Sequence, residues 1–506
     1  MTKPFSLLAA FLLCACPVSS NAVSVDLHAK TWNDFGRVMK SSDTLITNFN
    51  GNWQQTMGMQ IYGIADLGEN FEGGFGFGLS QVYHSLGDAT SEKFTLSKFF
   101  NYVSDARVTY ALGKKPNPLF SATVGDFAFN YNPQVENLGL YLFRGPVYPG
   151  FLVSGFKEFH TDTTRATFLG LHLHNGIGNF QHDLVLYDER DLPPSFDWSL
   201  GYVAKYKAFN ALEIGAGVNF YHLIPDNAKI TSPTTKNAPS LFGDDFALYQ
   251  KDSALIAAGG KVDPYQLQYM EIMSPGDTVF YTQQGTKLMA MFNLDIKNLL
   301  GLSGPFGAKD LIFYGEGALV GVKNYGSIYA KRKDRMPVML GFNLPAFGLL
   351  DLFSIEVEHY TAKYRPDYSK LGFDRSLYFK NIAAPPYIAR NAPSAIPVSL
   401  LDIVNTGGTR YQITPDGNLL EIQTGKTIQI KGTPLDPENF TADDWKWSLN
   451  VEKTFVRHVQ FSGQIANDHF IPRPVRSGLI NESSGLSEVL TSTKDWYFMA
   501  RVGYFF

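Results

Sequence analysis

Two carboxylates, Glu356 and Glu358, stand two residues apart in an alternating stretch, a spacing that could serve general acid/base chemistry. Side chains two residues apart in a β-strand lie on the same face of the sheet. Neighbouring carboxylates in a water-filled interior need not act as an acid/base pair, because catalysis also requires a reacting group within hydrogen-bond reach. We therefore interpret the pair as charges that line a water-filled interior rather than as a catalytic pair.

A histidine pair, His172 and His174, has the same two-residue spacing. Gln181 and Asp183 follow on the other side of a turn predicted at Asn175–Gly178 and face the same way. Two imidazoles can contribute to a metal site, but spacing alone positions no third ligand of matching geometry. The sequence therefore predicts no metal site and no cofactor.

Motifs of common enzymes are absent from the sequence. It contains no G-x-S-x-G nucleophile elbow, no H-E-x-x-H zinc motif and no phosphate-binding loop, and no serine and histidine can be paired from their spacing. A formal net charge of −4 gives no support to a nucleic-acid partner. We expect a protein that is not an enzyme and that binds no nucleic acid.

The first 22 residues are typical of a secretory signal peptide. Their apolar stretch Phe5–Val18 is too short to span a bilayer, and small residues precede a cleavage site after Ala22. Both cysteines of the chain lie in this stretch; a lipoprotein box ending at Cys16 is the disfavoured alternative, because Pro17 follows directly. We predict export and a cysteine-free mature chain of residues 23–506.

The mature sequence alternates apolar and polar residues at a period of two, in segments of about ten residues. For example, Trp198, Leu200 and Tyr202 alternate with Ser199 and Gly201. A strand that crosses a membrane needs about 9–11 residues, whereas strands of soluble sandwiches are about five or six long. The alternation predicts a transmembrane β-barrel, and hydrocarbon requires that barrel to be closed because an open edge leaves backbone groups unpaired.

The last strand carries the most specific pattern. Its apolar face consists of Trp496, Phe498, Ala500, Val502, Tyr504 and Phe506. This strand resembles the carboxy-terminal strand of Gram-negative outer-membrane β-barrels, which is read by the barrel-assembly machinery. The resemblance implies an integral protein of the bacterial outer membrane in contact with its lipid, and it allows a homo-oligomer such as a trimer. It implies the assembly signal Phe498, Val502, Tyr504 and Phe506.

Short turns and long connections alternate along the chain, which predicts the strand number. Outer-membrane barrels have an even number of strands, short periplasmic turns and long extracellular loops. We predict an all-β, antiparallel transmembrane barrel of about 16 strands, the first near Ser24–Thr31, with 14 or 18 as alternatives. The long extracellular loops are 223–284, with a short helix at Asp244–Ala258, and 364–443, with a small β-meander at 411–431.

The segment 131–159, which follows the fifth strand, is the candidate for narrowing the pore. In position it resembles the third external loop of general porins, which folds inward, although it lacks the acidic, glycine-containing sequence of that loop. A packed external loop is the alternative. Charges in this segment and on the wall would set selectivity. The residues assigned to the lumen or constriction are Glu136, Arg144, Lys157, Glu158, Arg107, Lys205, Lys207, Glu356, Glu358, Lys446, Glu452 and Arg501.

These features together predict a porin-like channel for passive diffusion of small hydrophilic solutes. Both signs of charge occur on the assigned lumen face, so no strong ion preference is expected. The alternative is a surface adhesion or glycan-binding protein that uses the barrel as an anchor for its long extracellular loops.

Overall fold

Alternating segments of the chain form strands along one large sheet in the computed structural model. The described residues are 24–41, 51, 53–84, 99–113, 118–145, 147, 152, 154, 166–188, 196–226, 270–274, 277–280, 284–324, 332–360, 411–413, 419–421, 427–428, 445–455, 458–470, 490 and 492–506. The predicted signal peptide, the predicted helix Asp244–Ala258, and Lys157 and Glu158 lie outside the described residues.

Sixteen strands form one closed barrel in which every neighbouring pair is antiparallel. The strands are β1 (Ser24–Lys40), β2 (Trp53–Asp66), β3 (Phe71–His84), β4 (Phe99–Leu112), β5 (Phe120–Phe129), β6 (Ala166–Ile177), β7 (Phe180–Asp188), β8 (Trp198–Phe209), β9 (Leu212–Ile224), β12 (Gly285–Asp295), β13 (Ile312–Leu319), β14 (Val338–Asn343), β15 (Leu352–His359), β19 (Trp445–Phe455), β20 (Val459–Asn467) and β21 (Trp496–Phe505). The first and last strands pair with each other and close the sheet. The predicted barrel of 16 antiparallel strands is confirmed.

Two small sheets lie outside the barrel order. One pairs β10 (Met270–Ser274) with β11 (Asp277–Phe280). The other consists of β16 (Tyr411–Ile413), β17 (Leu419–Glu421) and β18 (Thr427–Ile428). The second sheet confirms the meander predicted within 411–431.

The connections alternate between two ends of the barrel, which we call the short-turn end and the long-loop end. The short-turn end carries 67–70, 113–119, 178–179, 210–211, 296–311, 344–351 and 456–458, and the long-loop end carries 41–52, 85–98, 130–165, 189–197, 225–284, 320–337, 360–444 and 468–495. Within 296–311 lies a helix of one turn, α1 (Ile296–Leu300), with Asp295 at its N-terminus and Gly301 in the left-handed region at its end. Among the described residues, no helix is long and apolar enough to cross a membrane.

Two strand boundaries differ from the sequence prediction. β1 continues to Lys40, beyond the predicted end at Thr31. The sequence does not reveal this extension, because Trp32, Gly36 and Val38 share one face with Asp34 and hide the alternation of apolar and polar residues. The turn predicted at Asn175–Gly178 is instead the two-residue turn 178–179, since Ile177 pairs with Phe180. This shift sets which side chains of β6 and β7 face each other.

The two faces of each strand meet different surroundings. On β14, the outward Leu340 is 47% exposed and the inward Met339 is fully buried; on β15, the outward Val357 is 39% exposed and the inward Glu356 is fully buried. Outward apolar side chains are exposed around the barrel, among them Ile61, Phe77, Val108, Leu169, Tyr202, Ile214, Phe220, Leu288, Phe461, Ile465 and Val502. This apolar exterior suits a hydrocarbon surrounding.

An arginine on the apolar exterior tests the membrane placement. We expect Leu340→Arg, on an outward position of β14, to lower the free energy of unfolding from lipid vesicles by about 2–4 kcal/mol, because a charge at mid-bilayer is costly. The same substitution at Leu349, in the short turn 344–351, should cost only about 0–1 kcal/mol. Urea titrations of the folded barrel in vesicles measure both; equal costs at the two sites would contradict the placement.

Candidate pore constriction

Residues 131–145, which we call the inward segment, follow β5 and lie against inward-facing side chains of the barrel. Its backbone carbonyls and side chains contact residues of β8, β12, β13 and β15. Tyr131, Leu138 and Leu142 are each no more than 1% exposed. Inward side chains from four of the six barrel strands from β8 to β15 reach the same buried segment, so it lies in the interior.

The carboxylate of Glu316, at an inward position of β13, binds both ends of the inward segment. Its Oε1 accepts hydrogen bonds from the Tyr131 hydroxyl at 2.6 Å and from the Tyr141 backbone N–H at 2.7 Å. Its Oε2 accepts from the Leu140 N–H at 3.1 Å. One buried side chain thereby joins residues that are ten positions apart in the segment.

The carboxylate of Glu356, on β15, binds the middle of the inward segment. Its two oxygens accept the consecutive backbone N–H groups of Glu136, Asn137 and Leu138 at 2.7, 2.9 and 2.8 Å. Consecutive N–H groups that converge form a concave anion site in the backbone. A buried N–H group left without an acceptor costs about 1–3 kcal/mol, so these three contacts form a strong attachment.

The neighbouring Glu358 extends this attachment. Its Oε2 accepts from the Tyr141 hydroxyl at 2.8 Å, and its Oε1 lies 2.6 Å from Nε2 of His469 at the end of β20. Glu356 and Glu358 therefore face the interior as the spacing predicted, but both are at most 1% exposed because the inward segment covers them. They anchor a segment and do not line open water.

Burial determines the protonation of the tyrosine donors. Burial, and after it the Glu316 carboxylate, hold the pKa of the Tyr131 hydroxyl well above its ordinary value. Burial and the Glu358 carboxylate act on the pKa of Tyr141 in the same direction. Both hydroxyls therefore stay protonated and donate hydrogen bonds to the carboxylates.

Side-chain nitrogen donors from the wall bind the carbonyl groups of the inward segment. Lys287, on β12, donates from Nζ to the carbonyl oxygens of Tyr141, Arg144 and Gly145 at 3.2, 2.6 and 2.8 Å. Asn219, on β9, donates to the Leu142 carbonyl at 3.0 Å. The wall thus offers acceptors to the N–H groups and donors to the carbonyls, which a buried backbone requires.

At the long-loop end, Asp468 holds the inward segment to β21. Its Oδ2 accepts from Asn137 Nδ2 at 2.6 Å and from the Tyr497 hydroxyl at 2.7 Å. Burial raises the pKa of Asp468 to about 6, against the lowering effect of these two hydrogen bonds. Asp468 thus accepts both donors while it is buried.

Apolar packing also supports the inward segment. The buried cluster joins Val135, Leu138, Leu140 and Leu142 of the segment to inward side chains of the wall. The wall members include Phe127, Phe129, Phe168, Val185, Tyr187, Val203, Met289, Met291, Tyr314 and Met339. Gly139 (φ 87°) takes a left-handed conformation at the contact, where a Cβ would lie 2.6 Å from the Met339 methyl group. This half of the interior is filled.

The other half of the interior, along β1–β4, carries part-exposed charges of both signs. Arg107 lies near Glu72, at 3.7 Å, and is bonded to Asp105, and these side chains are 19–28% exposed. By contrast, Glu316 is 3% exposed and Lys287 is fully buried on the filled side. Water therefore reaches charged groups on β3 and β4.

An aromatic and ionic group on β1 and β21 continues this polar half. Arg501 binds Asp34 through two hydrogen bonds of 2.6 and 2.8 Å. The Arg501 guanidinium also stacks over Trp32 at 5.7 Å, and the Lys30 ammonium lies 5.4 Å from the same ring. Gly58 on β2 faces this ring without a side chain, since a Cβ there would lie 2.1 Å from it.

Strand pairing places the eight wall residues assigned from the sequence at inward positions. These residues are Arg107, Lys205, Lys207, Glu356, Glu358, Lys446, Glu452 and Arg501. Lys205 donates to the Tyr131 carbonyl at 3.3 Å, and the buried Lys446 donates to the Leu490 carbonyl at 2.7 Å. Their roles in selectivity stay predictions. The assembly residues Phe498, Val502 and Tyr504 lie on the outward face of β21, and their role also stays a prediction.

The two described charges assigned within 131–159 are enclosed by other groups. Glu136 is 5% exposed and accepts from Lys309, which lies in the short-turn connection 296–311, at 3.1 Å. Arg144 donates to the carbonyls of Asn137 and Gly139 and fixes the shape of the inward segment from within. The sequence predicts neither the contact of Glu136 with Lys309 nor the hydrogen bonds of Arg144 within the segment.

The sequence analysis missed four residues that hold the inward segment: Glu316, Lys287, Asn219 and Asp468. In β13, Ile312 and Tyr314 share the inward face with Glu316, so its apolar–polar alternation is weak. A lone charge in an otherwise apolar strand is the signal that could have identified Glu316, and Lys287 directly precedes the apolar stretch Leu288–Phe292 of β12.

Solved structures with a similar chain trace are porins. A triple mutant of the Rhodopseudomonas blastica porin has a TM-score of 0.38 and 10% identity, over 96% of this chain and 100% of that chain. A double mutant of that porin has a TM-score of 0.38 and 9% identity over the same shares. At this similarity, neither function nor assembly transfers. No protein-family model matches the chain, and no curated protein matches it.

Removal of the Glu356 carboxylate tests whether it holds the inward segment. We expect Glu356→Ala to leave the N–H groups of residues 136–138 without an acceptor, at about 1–3 kcal/mol each. Amide hydrogen exchange at residues 136–138, measured by mass spectrometry, should then be at least about tenfold faster, because a free-energy change of about 1.4 kcal/mol changes an equilibrium constant tenfold.

The matched control is Glu213→Ala. Glu213 faces inward on β9 and accepts from Asn293 at 3.1 Å, so its loss should leave exchange at residues 136–138 unchanged. Unaltered exchange in Glu356→Ala, or equal acceleration in both variants, would show that the carboxylate does not anchor the segment.

Proposed function

We propose that this chain is an outer-membrane channel that allows passive diffusion of small hydrophilic solutes. The observation that carries the proposal is the unequal interior: the inward segment fills the side of β5–β15, and the side of β1–β4 carries part-exposed charges. A barrel of 16 strands is wide enough for a channel unless something fills it. A segment that fills one side narrows such a channel without blocking it.

The exclusion mechanism follows from the attachment of the inward segment. Because Glu316 binds the Tyr131 hydroxyl and the Tyr141 backbone N–H, and Glu356 binds the backbone between them, the segment keeps a fixed position and sets the width. The charges on β3 and β4 then act on whatever passes. The exposed apolar exterior supports contact with outer-membrane lipid, and the outward face of β21 supports recognition by the barrel-assembly machinery. A homo-oligomer, such as a trimer, is part of the proposal.

Planar-bilayer recording tests the proposal directly. We expect the purified, folded barrel to give stable single-channel currents in symmetric salt. Deletion of 411–431, which contains the separate sheet β16–β18, should leave this conductance unchanged. Absence of any current, together with glycan or cell binding that the deletion abolishes, would reject the channel in favour of an adhesion protein.

Charge reversal at Arg107 tests which half of the interior conducts. We expect Arg107→Glu to raise the cation-to-anion permeability ratio, because it adds a negative charge beside Glu72 and Asp105 and removes a positive one. The reversal potential across a salt gradient measures this ratio.

Arg332→Glu is the control for charge alone. Arg332 is exposed in a short 3₁₀ helix (Arg332–Arg335) at the long-loop end, so its reversal should shift the reversal potential much less. Equal shifts in the two variants, or no shift with Arg107→Glu, would place the conducting path elsewhere.

A further inference from the structure

Two histidines and an aspartate form a compact group on the inward face of β6 and β7, near the short-turn end. The group contains His172, His174 and Asp183, whose ligand atoms all lie within 4.8 Å of one another. His172 Nε2 and His174 Nδ1 each lie 2.9 Å from Oδ1 of Asp183. None of these side chains contributes to the attachment of the inward segment.

The observed register supplies the third ligand that sequence spacing could not position. The two-residue turn 178–179 pairs His174 with Asp183 across the hairpin. The turn predicted at Asn175–Gly178 would instead have placed His174 opposite Asn179. The register therefore brings a third candidate ligand beside the two histidines.

We propose that His172, His174 and Asp183 bind a divalent transition-metal ion of the zinc class from the lumen. Two imidazole nitrogens and one carboxylate oxygen are ligands that Zn²⁺ takes at about 2.0–2.2 Å. Each histidine nitrogen lies 2.9 Å from the Asp183 oxygen, and all three ligand atoms lie within 4.8 Å of one another, so the two imidazoles approach each other to share one such ion. On binding, each imidazole moves the N–H proton that it donates to Asp183 to its other ring nitrogen through solvent; the freed nitrogen then binds the metal, and water completes the coordination.

The surroundings hold these ligands in place and leave them accessible. The His172 ring packs on Phe129 and Phe127, with ring centroids 4.9 and 5.8 Å apart. The side chains of His172 and His174 are 18% and 24% exposed, and that of Asp183 is 7% exposed. A metal ion can thus enter from water and meets ligands whose positions are already constrained.

Hydrogen bonding alone is the competing explanation for this geometry. In that case both imidazoles simply donate N–H groups to Asp183 and stabilise the hairpin. The two explanations differ in what added metal does, because only a metal site gains stability from the ion. A ligand that binds the folded state alone stabilises it according to its concentration and affinity.

Zinc binding to the full folded barrel distinguishes the two explanations. The protein is untagged, because a histidine tag would itself bind the ion, and it is stripped of metal with EDTA before titration with ZnCl₂. We expect one tightly bound Zn²⁺ per chain by calorimetry and a higher Tm in Zn²⁺ than in EDTA. Failure of the wild-type protein to bind one equivalent, or to gain in Tm, would overturn the proposal without any variant.

The matched pair of variants is His174→Gln and His182→Gln. Glutamine keeps a hydrogen-bonding group but is a poor zinc ligand, so His174→Gln should weaken Zn²⁺ binding by at least about tenfold, the lower range for loss of even a supporting group. His182 is on the same hairpin, but its ring faces outward and bonds the Tyr202 hydroxyl at 2.7 Å; its substitution should leave binding unchanged. Equal weakening by both variants would contradict the proposed ligands.

Asp183→Asn is a second variant for the case in which His174→Gln does not fold. It removes the carboxylate and should likewise abolish the gain in Tm. Heat-dependent gel mobility reports whether each variant has folded. These measurements do not require that the barrel conducts, so their failure and the failure of the proposed channel are separate results.

Discussion

Backbone N–H groups inside the barrel need acceptors, and two buried carboxylates supply them. Glu316 and Glu356 accept five backbone N–H groups and one tyrosine hydroxyl from the inward segment. An unpaired buried amide is costly, and an unpaired buried carboxylate is more so. The inward segment therefore depends on the two carboxylates and the carboxylates depend on the segment, and the packing inside β5–β15 follows from these hydrogen bonds.

This interaction gives the barrel two unlike halves. Where the inward segment lies, the wall supplies apolar side chains for its leucines and isolated charges for its backbone. Where the segment is absent, the wall charges pair with each other, as Arg501 does with Asp34, and the charges on β3 and β4 are part-exposed. The passage that we propose runs along β1–β4, and its width would depend on how firmly the segment is held.

The sequence predicted the barrel well because strand faces and turns are local properties. Alternation assigned Lys205, Glu356 and Arg501 to the interior, and the order of short and long connections predicted the 16 strands that are observed. The attachment of the inward segment could not be predicted in the same way, because Glu356 and the amide of Glu136 are separated by 220 positions. The His174–Asp183 contact depends on a turn that lies a few residues from its predicted place.

The passage of neutral solutes of increasing size tests most directly whether the anchored inward segment sets the width of the channel. The swelling rate of liposomes that contain the folded barrel would be measured with a graded series of sugars, for the wild-type protein and for a Glu316→Ala/Glu356→Ala variant. A held inward segment predicts that the wild type admits only the smaller solutes and that the variant admits larger ones. Identical size limits, or no swelling with the wild type, would contradict the account.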